Sequence, residues 1–429
     1  MLHAPLRTTR TVVLVSLLVM CLARPGAAQN WPRFRGPAGQ GEGGTLLIPD
    51  SPSDADFNWR VKLPGRGQSS PVIWGQRIFT TCYDSQASEC LLVCLAAGDG
   101  KQLWARSLPI ESYGMHDLNS YASVTPALDS KHVVISWTSG RMLNLAAFGH
   151  DGEALWRKPL GASVANHGGG TSPTLFEGVV LIANDTERAA KSFVAGIDVE
   201  TGDLLWKHAR ETSRASFASP LVHVPEQGPP QAIFASTSHG LTSLEPGTGK
   251  LIWERTDLFR PRCVASPALA GDILFATAGT GGGGKVGVAL NLASRDESGA
   301  PEQQYELRHG LPYVPTPIAT DDRLYLWADG GIVSCLELES GREIWRERVG
   351  GTFYGSPVLA DGKLFAIDMS GELVWVRAAD DFELLGRLDL GEASNSTPAV
   401  ALGALYLRTE THLISVGGKP RASAGVSGD

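Results

Sequence analysis

The stretch DVETGDLLWK at residues 198–207 decides the fold, because the chain repeats it. EPGTGKLIWE at 245–254 and ELESGREIWR at 337–346 follow the same pattern, in which a Gly stands four residues before a Trp. A Gly in such a turn accepts positive φ, which suits a tight β-hairpin, and the Trp then begins the next strand. Each unit therefore predicts two antiparallel strands joined by a Gly-containing turn.

An aromatic side chain recurs at this one place in the repeat. Tyr305 and Leu385 take the position in two degenerate repeats. The aromatic residues at the other positions are Trp59, Trp104, Trp156, Trp206, Trp253 and Trp345. Repetition of one large side chain favours packing between neighbouring repeats over a ligand stack, so we interpret these Trp residues as structural.

A Ser/Thr-Pro step marks the start of each repeat and occurs eight times, from Ser70-Pro71 to Thr397-Pro398. The intervals between the prolines are 40 to 55 residues, which is typical of four-stranded propeller blades. The last repeat has inner strands but no Trp turn, whereas FNWRV at 57–61 has the Trp strand alone. The sequence therefore predicts an all-β fold: one eight-bladed β-propeller of four-stranded antiparallel blades, closed by pairing of N- and C-terminal strands.

The repeat unit resembles the pyrroloquinoline-quinone-like (PQQ-like) repeat of the BamB lipoproteins and the quinoprotein dehydrogenases. The segments NWPRFRGPAGQG (30–41), HDLNSYASVTP (116–126) and DLGEASNSTPAV (389–400) resemble those of exported bacterial propellers with that repeat. The resemblance implies the propeller fold over nearly the whole chain. It implies little about activity, because one fold carries many functions.

Residues 1–28 have the order of a secretory signal peptide: Arg7 and Arg10, the apolar run TVVLVSLLVMCLA, and small residues ending at Ala28. A lipid anchor at Cys21 is the alternative, although the Met before that Cys is larger than lipoprotein signals use. We expect the propeller to span 29–418, a disordered C-terminal tail at 419–429, no membrane span, and a periplasmic or extracellular location.

The formal net charge of −8 argues against nucleic acid as a partner. Cys82 and Cys90 flank the loop YDSQASE, so a disulfide between them is an open alternative in an oxidising compartment. Cys94 and Cys335 lie in matching apolar strands and are interpreted as core residues. The cysteine spacing matches no zinc site, and we expect no metal ligands.

Catalytic motifs are not found. GTGGGGK at 279–285 has the spacing of a phosphate loop, but Val286 replaces the Ser/Thr that binds magnesium, and a strand pattern follows where a helix is needed. The quinoprotein enzymes of the resembled family use an acidic calcium site and an adjacent-cysteine disulfide, and neither maps onto this sequence. No catalytic residue is assigned.

The segments that lead into the innermost strands should meet at one end of the central channel. The candidate ligand-binding residues at this mouth are His116, Asn119, Tyr121, His167, Arg260, Arg262, Tyr313 and Tyr354. Two Arg in an acidic protein favour a carboxylate or phosphate, whereas turn capping is the structural alternative for the whole set.

The favoured function is an exported, non-catalytic binding or scaffold propeller of the cell envelope, with a protein partner or a small polar or anionic ligand and no cofactor. The alternative is a PQQ-dependent oxidoreductase, which would need PQQ with calcium.

Overall fold

The computed structural model describes residues 30–49, 52–187, 192–212 and 214–418. The predicted signal peptide (1–28) and tail (419–429) lie outside these residues. The described part of the chain has no helix long and apolar enough to cross a membrane. Its one helix is a 3₁₀ turn at Asp54–Asp56, which precedes strand β1 (Phe57–Lys62).

The remaining strands follow in chain order as seven complete blades and most of an eighth. Blades 1 and 2 contain β2 (Val72–Trp74), β3 (Arg77–Asp84), β4 (Glu89–Ala96) and β5 (Gln102–Pro109), then β6 (Ala127–Leu128), β7 (His132–Ser139), β8 (Met142–Gly149) and β9 (Ala154–Ala162). Blades 3 and 4 contain β10 (Thr174–Phe176), β11 (Val179–Asn184), β12 (Ser192–Asp198) and β13 (Leu204–Arg210), then β14 (Leu221–His223), β15 (Gln231–Ser236), β16 (Gly240–Leu244) and β17 (Leu251–Arg255). Blades 5 and 6 contain β18 (Ala268–Ala270), β19 (Ile273–Thr280), β20 (Gly283–Arg295) and β21 (Pro301–Leu307), then β22 (Ile318–Ala319), β23 (Arg323–Trp327), β24 (Ile332–Glu337) and β25 (Glu343–Arg348). Blade 7 contains β26 (Val358–Ala360), β27 (Lys363–Ile367), β28 (Glu372–Arg377) and β29 (Leu384–Asp389), and blade 8 begins with β30 (Ala399–Ala401), β31 (Ala404–Arg408) and β32 (His412–Gly417).

Strand β1 completes blade 8. It pairs antiparallel with β32, with Phe57 opposite Val416 and Lys62 opposite His412. The result is eight four-stranded antiparallel sheets, in which blade 8 has the order β1-β32-β31-β30. The predicted eight-bladed propeller, closed by its two terminal strand regions, is confirmed.

The Trp positions of the repeat join neighbouring blades. Trp206 of blade 3, for example, donates from Nε1 to the carbonyl of Pro246 in blade 4 at 2.7 Å. A Cβ on Gly249, in the same turn, would lie 2.5 Å from this indole, so only Gly admits the ring. The equivalent donations run from Trp59 to Ala97, Trp104 to His150, Trp156 to Val199, Trp345 to Ala379 and, through its hydroxyl, Tyr305 to Leu338.

Trp253 departs from this pattern. Its Nε1 donates to Gln231 Oε1 of its own blade at 2.8 Å. The next blade contains the long strand β20, of 13 residues. Trp253 nevertheless lies in the apolar core between blades 4 and 5, where it is 3% exposed.

The cysteines in the described part of the chain are free and buried. Cys82 lies opposite Leu91 and Cys90 lies opposite Tyr83 in the β3–β4 pair, so their side chains point to opposite faces of blade 1. Cys82 packs in the core shared with blade 8, and Cys90 packs in the core shared with blade 2. The disulfide that the sequence left open is therefore not formed in this structure.

Residues 30–47, which we call the axial segment, run through the central channel before the first blade begins. The segment hydrogen-bonds seven of the eight blades, which fixes it as a plug. Its bonds join Trp31 to Ile73 in blade 1, Pro32 to Leu128 in blade 2, Arg33 to Thr174 in blade 3, Gln40 to Leu269 in blade 5, Arg35 to Pro317 in blade 6, Gly43 to Leu359 in blade 7 and Leu47 to Gly403 in blade 8.

Arg35 is a buried charge within this plug. It is 1% exposed, and its guanidinium donates to the carbonyls of Thr316 and Pro317, each at 2.7 Å, and to the carbonyl of Gln40. Burial lowers the pKa of Arg35, while the nearby Glu42 carboxylate raises it. The charge is thus held by backbone oxygens at the level where blade 6 begins.

Candidate functional site

A cavity of about 400 Å³ occupies the mouth of the central channel. Its wall is formed by the segments that precede the innermost strands, and Phe34 of the axial segment lies in its lining. Because the axial segment fills the channel beyond Phe34, the cavity is a cup with a floor.

The Ser and Thr of the Ser/Thr-Pro steps all line this cup. Six of the eight side chains accept a hydrogen bond from the backbone of the neighbouring repeat; the Ser266 N–H, for example, donates to Thr316 Oγ1 at 3.1 Å. The same bond runs from Ser70 to Thr125, Thr125 to Ser172, Ser219 to Ser266, Thr316 to Ser356 and Ser356 to Thr397. We call these side chains the hydroxyl ring. The ring satisfies buried backbone N–H groups and places hydroxyls around the channel axis.

Six of the eight mouth residues predicted from the sequence line the cavity. They are His116, Asn119, His167, Arg262, Tyr313 and Tyr354. They come together because each precedes an innermost strand, as the repeat implies. The cavity also contains residues outside the predicted set, among them Phe34, Gln68, Phe217 and Asn395.

Tyr121 and Arg260 do not line the cavity. The hydroxyl of Tyr121 donates to the carbonyl of Tyr113 at 3.1 Å, and its ring packs against Tyr83 with centroids 4.6 Å apart. Tyr121 therefore packs within its own loop and against blade 1, outside the cavity lining. Arg260 is exposed and lies outside the lining.

Arg262 is held by a carboxylate that the sequence analysis did not identify. Its Nη2 donates to Glu187 Oε1 at 2.9 Å, and Glu187 Oε2 accepts the Asn166 N–H at 3.1 Å. The side chains of Arg262 and Glu187 are 14% and 5% exposed. The cation that the sequence marked as an anion receptor is thus already paired within the protein.

His167 lies on the other side of Arg262. Arg262 Nη1 is 2.6 Å from His167 Nδ1 and 3.0 Å from its Nε2, and because a guanidinium only donates, the imidazole is the acceptor in this contact. Burial and the Arg262 charge lower the pKa of His167, which Glu187 partly opposes. His116 stacks on His167 with ring centroids 5.3 Å apart and planes at 10°.

Asn119 holds the His167 loop in place. Its Nδ2 donates to the carbonyls of His167 and Gly169 at 2.6 and 3.0 Å, and its Oδ1 accepts from Ser123 Oγ at 2.6 Å. With its amide engaged on both sides, Asn119 acts as a brace between blades 2 and 3.

The cavity has little net charge. Arg262 is the one Arg or Lys among the described lining residues, and no carboxylate is among them. Glu187, directly behind Arg262, balances its charge. The described residues also contain no group of three or more His, Cys, Asp or Glu arranged to hold a metal ion. The pair of cations expected from the sequence is not present in the cavity lining, because Arg260 is not part of it.

A family model described as outer membrane protein assembly factor BamB matches residues 88–310 and 291–419. No curated protein matched the chain in sequence.

The solved structures show the same fold at low sequence identity. BamB from Moraxella catarrhalis is 15% identical, with a TM-score of 0.59 over 83% of this chain and 95% of that chain. Quinohemoprotein alcohol dehydrogenase from Comamonas testosteroni is 14% identical, with a TM-score of 0.67 over 92% of this chain and 81% of that chain. The computationally designed Ika8 protein is 11% identical, with a TM-score of 0.62 over 84% of this chain and 99% of that chain. The family model covers well over half of the sequence, and this protein therefore belongs to the BamB family of PQQ-like β-propellers.

Proposed function

We propose that this chain is an exported, non-catalytic binding propeller of the cell envelope that holds a ligand, or a segment of a protein partner, in the cup at the channel mouth. The carrying observation is the cup itself: a floored cavity of about 400 Å³ with polar and aromatic side chains contributed by separate repeats. A volume of roughly 300–1,000 Å³ with a few convergent polar groups is typical of small-molecule sites. The propeller fold shared with BamB supports a scaffold or binding role.

The test blocks the cavity with a Trp side chain and measures which bound compound is lost. Val264 lines the cavity, whereas Val224 is 62% exposed and lies outside its lining, so Val264→Trp and Val224→Trp are a matched pair. Full-length protein is expressed in its native cells and purified, and small molecules released on denaturation are identified by mass spectrometry. We expect a co-purifying compound with wild type and Val224→Trp but not with Val264→Trp. Identical extracts from all three proteins would overturn the proposal.

A PQQ-dependent oxidoreductase is the second candidate, because the fold is shared with a quinohemoprotein alcohol dehydrogenase. The cup does not fit calcium-bound PQQ. Calcium takes about six to eight oxygen ligands, commonly including carboxylates, and the described lining contains no carboxylate. The test incubates the protein with PQQ, calcium chloride and ethanol and follows reduction of an electron-acceptor dye. We expect no ethanol-dependent reduction. Sustained turnover would establish the oxidoreductase and overturn the non-catalytic assignment.

A further inference from the structure

We infer that the ligand of the cup is a neutral saccharide, a mono- or disaccharide, and not an anion. This inference rests on the proposed binding function and names the ligand class of the same site. Three features of the lining carry it: its charge balance, its hydroxyl ring and its aromatic side chains.

The charge balance disfavours an anion. Arg262 donates to Glu187 at 2.9 Å and contacts His167 at 2.6 Å. Burial raises the pKa of the Tyr313 phenol, and the Arg262 charge and hydrogen bond oppose that rise. An anion placed on Arg262 would compete with Glu187 and would lie close to that buried carboxylate. A neutral ligand leaves the buried pair intact.

The hydroxyl ring is complementary to a ligand that both donates and accepts hydrogen bonds. Each of the six acceptor hydroxyls, such as Thr316 Oγ1, receives a backbone N–H on one lone pair. Each of these hydroxyls keeps a second acceptor site besides its proton, since a hydroxyl has one donor and two acceptor sites. Sugar hydroxyls have the same dual character, whereas carboxylate and phosphate oxygens only accept. Asn395 also lines the cavity, and its buried amide oxygen has no hydrogen-bond partner among the described residues, so it is an acceptor without a donor.

The aromatic side chains supply surfaces for the apolar faces of a sugar ring. Tyr313, Tyr354 and Phe217 line the wall, and Phe34 lines the floor. Aromatic rings carry a negative face, which attracts the weakly positive C–H groups of a pyranose. The volume of about 400 Å³ and the closed floor limit the ligand to a short saccharide.

The experiment measures binding of matched neutral and charged sugars by saturation-transfer NMR and calorimetry. The neutral panel is glucose, galactose, N-acetylglucosamine, maltose and trehalose; glucuronate, galacturonate and glucose 6-phosphate are the charged counterparts. We expect a neutral sugar to bind at least about tenfold more tightly than its charged counterpart.

Variants locate the binding. Tyr354→Ala and Gln68→Ala each remove a lining group, and we expect each to weaken the neutral sugar at least about tenfold with folding checked by thermal melting. Arg260→Ala, an exposed residue outside the lining, is the control and should bind as wild type.

Two results would overturn the saccharide inference. One is tighter binding of glucuronate or the sugar phosphate, abolished by Val264→Trp; the binding function would then stand with an anionic ligand. The other is no binding of any panel member by wild type, in which case the extraction experiment above decides the binding function separately.

Discussion

Arg262 Nη2 lies 2.9 Å from Glu187 Oε1 and thereby ties the loop before blade 5 to the β11–β12 connection of blade 3. Both side chains are largely buried, so removing one leaves the other charge without a partner. We predict that Arg262→Ala lowers the free energy of unfolding by about 3–5 kcal/mol, measured by chemical denaturation. Arg260→Ala, at an exposed residue two positions away, should change it by less than about 0.5 kcal/mol. Equal effects of the two variants would contradict the pairing, and adding Glu187→Ala to Arg262→Ala should recover part of the loss.

His167 should make the fold less stable in acid. Burial and Arg262 lower the pKa of His167 below the value of about 6.5 expected for the unfolded chain. The unfolded state then binds a proton more readily, so stability is lost as the pH falls from about 6.5 toward the folded-state pKa. Because His150, His208 and His223 also have lowered pKa values, the readout is a difference between proteins.

We therefore predict that the melting temperature of His167→Gln falls less between about pH 7.5 and pH 5 than that of wild type. The exposed His309 provides the control, and His309→Gln should follow wild type. A wild-type slope in His167→Gln would mean that this imidazole does not titrate as the structure implies.

Trp206 should be required for stability. It is 8% exposed, packs on Gly249 and donates to Pro246 at 2.7 Å. We predict a loss of about 3–5 kcal/mol in Trp206→Ala because a large cavity opens between blades 3 and 4, measured by urea unfolding. Trp206→Phe keeps much of the packing and loses the hydrogen bond, so it should lose clearly less. If the two variants lose the same stability, the indole packing is not what joins the blades.

The axial segment should depend on Arg35. We predict that Arg35→Met lowers the free energy of unfolding by at least about 2 kcal/mol, because three carbonyl groups lose a charged donor. The variant should also become sensitive to limited proteolysis within residues 30–47. Arg66→Met is the matched control: Arg66 is 64% exposed in a surface pair with Glu410, and its loss should cost less than about 1 kcal/mol. A protease-resistant segment in Arg35→Met would show that other bonds suffice to hold the plug.

The architecture was predictable because its determinants are periodic. A Gly and a Trp at one spacing, such as Gly202 and Trp206, imply a hairpin each time they occur, and the half-repeats at 57–61 and 397–416 imply closure. Because His116, His167 and Tyr354 each precede an innermost strand, the sequence was enough to predict that they meet at one mouth of the channel. It could not predict side-chain direction within irregular loops, which is why Arg260 and Tyr121 lie elsewhere.

Two of the features that the sequence did not reveal lie outside its repeat pattern. Phe34 and Arg35 belong to a segment that precedes the repeats, and nothing in its composition indicates that it enters the channel. Glu187 is a single acid on a hairpin connection, and its pairing with Arg262 depends on the geometry of three successive blades. The Ser/Thr-Pro steps marked the repeats, but the ring of hydroxyls appears only once the blades are arranged around an axis.

The pairing of β1 with β32 also constrains how the molecule can fold. Asn58 Nδ2 donates to Ser415 Oγ at 3.0 Å, and the two residues are 357 positions apart in the chain. Contacts of such long range form slowly, since a large loop must close before they contribute. During synthesis β1 must therefore wait, with its edge unpaired, until the final strand is available. We expect refolding of the isolated chain to be rate-limited by this single late step.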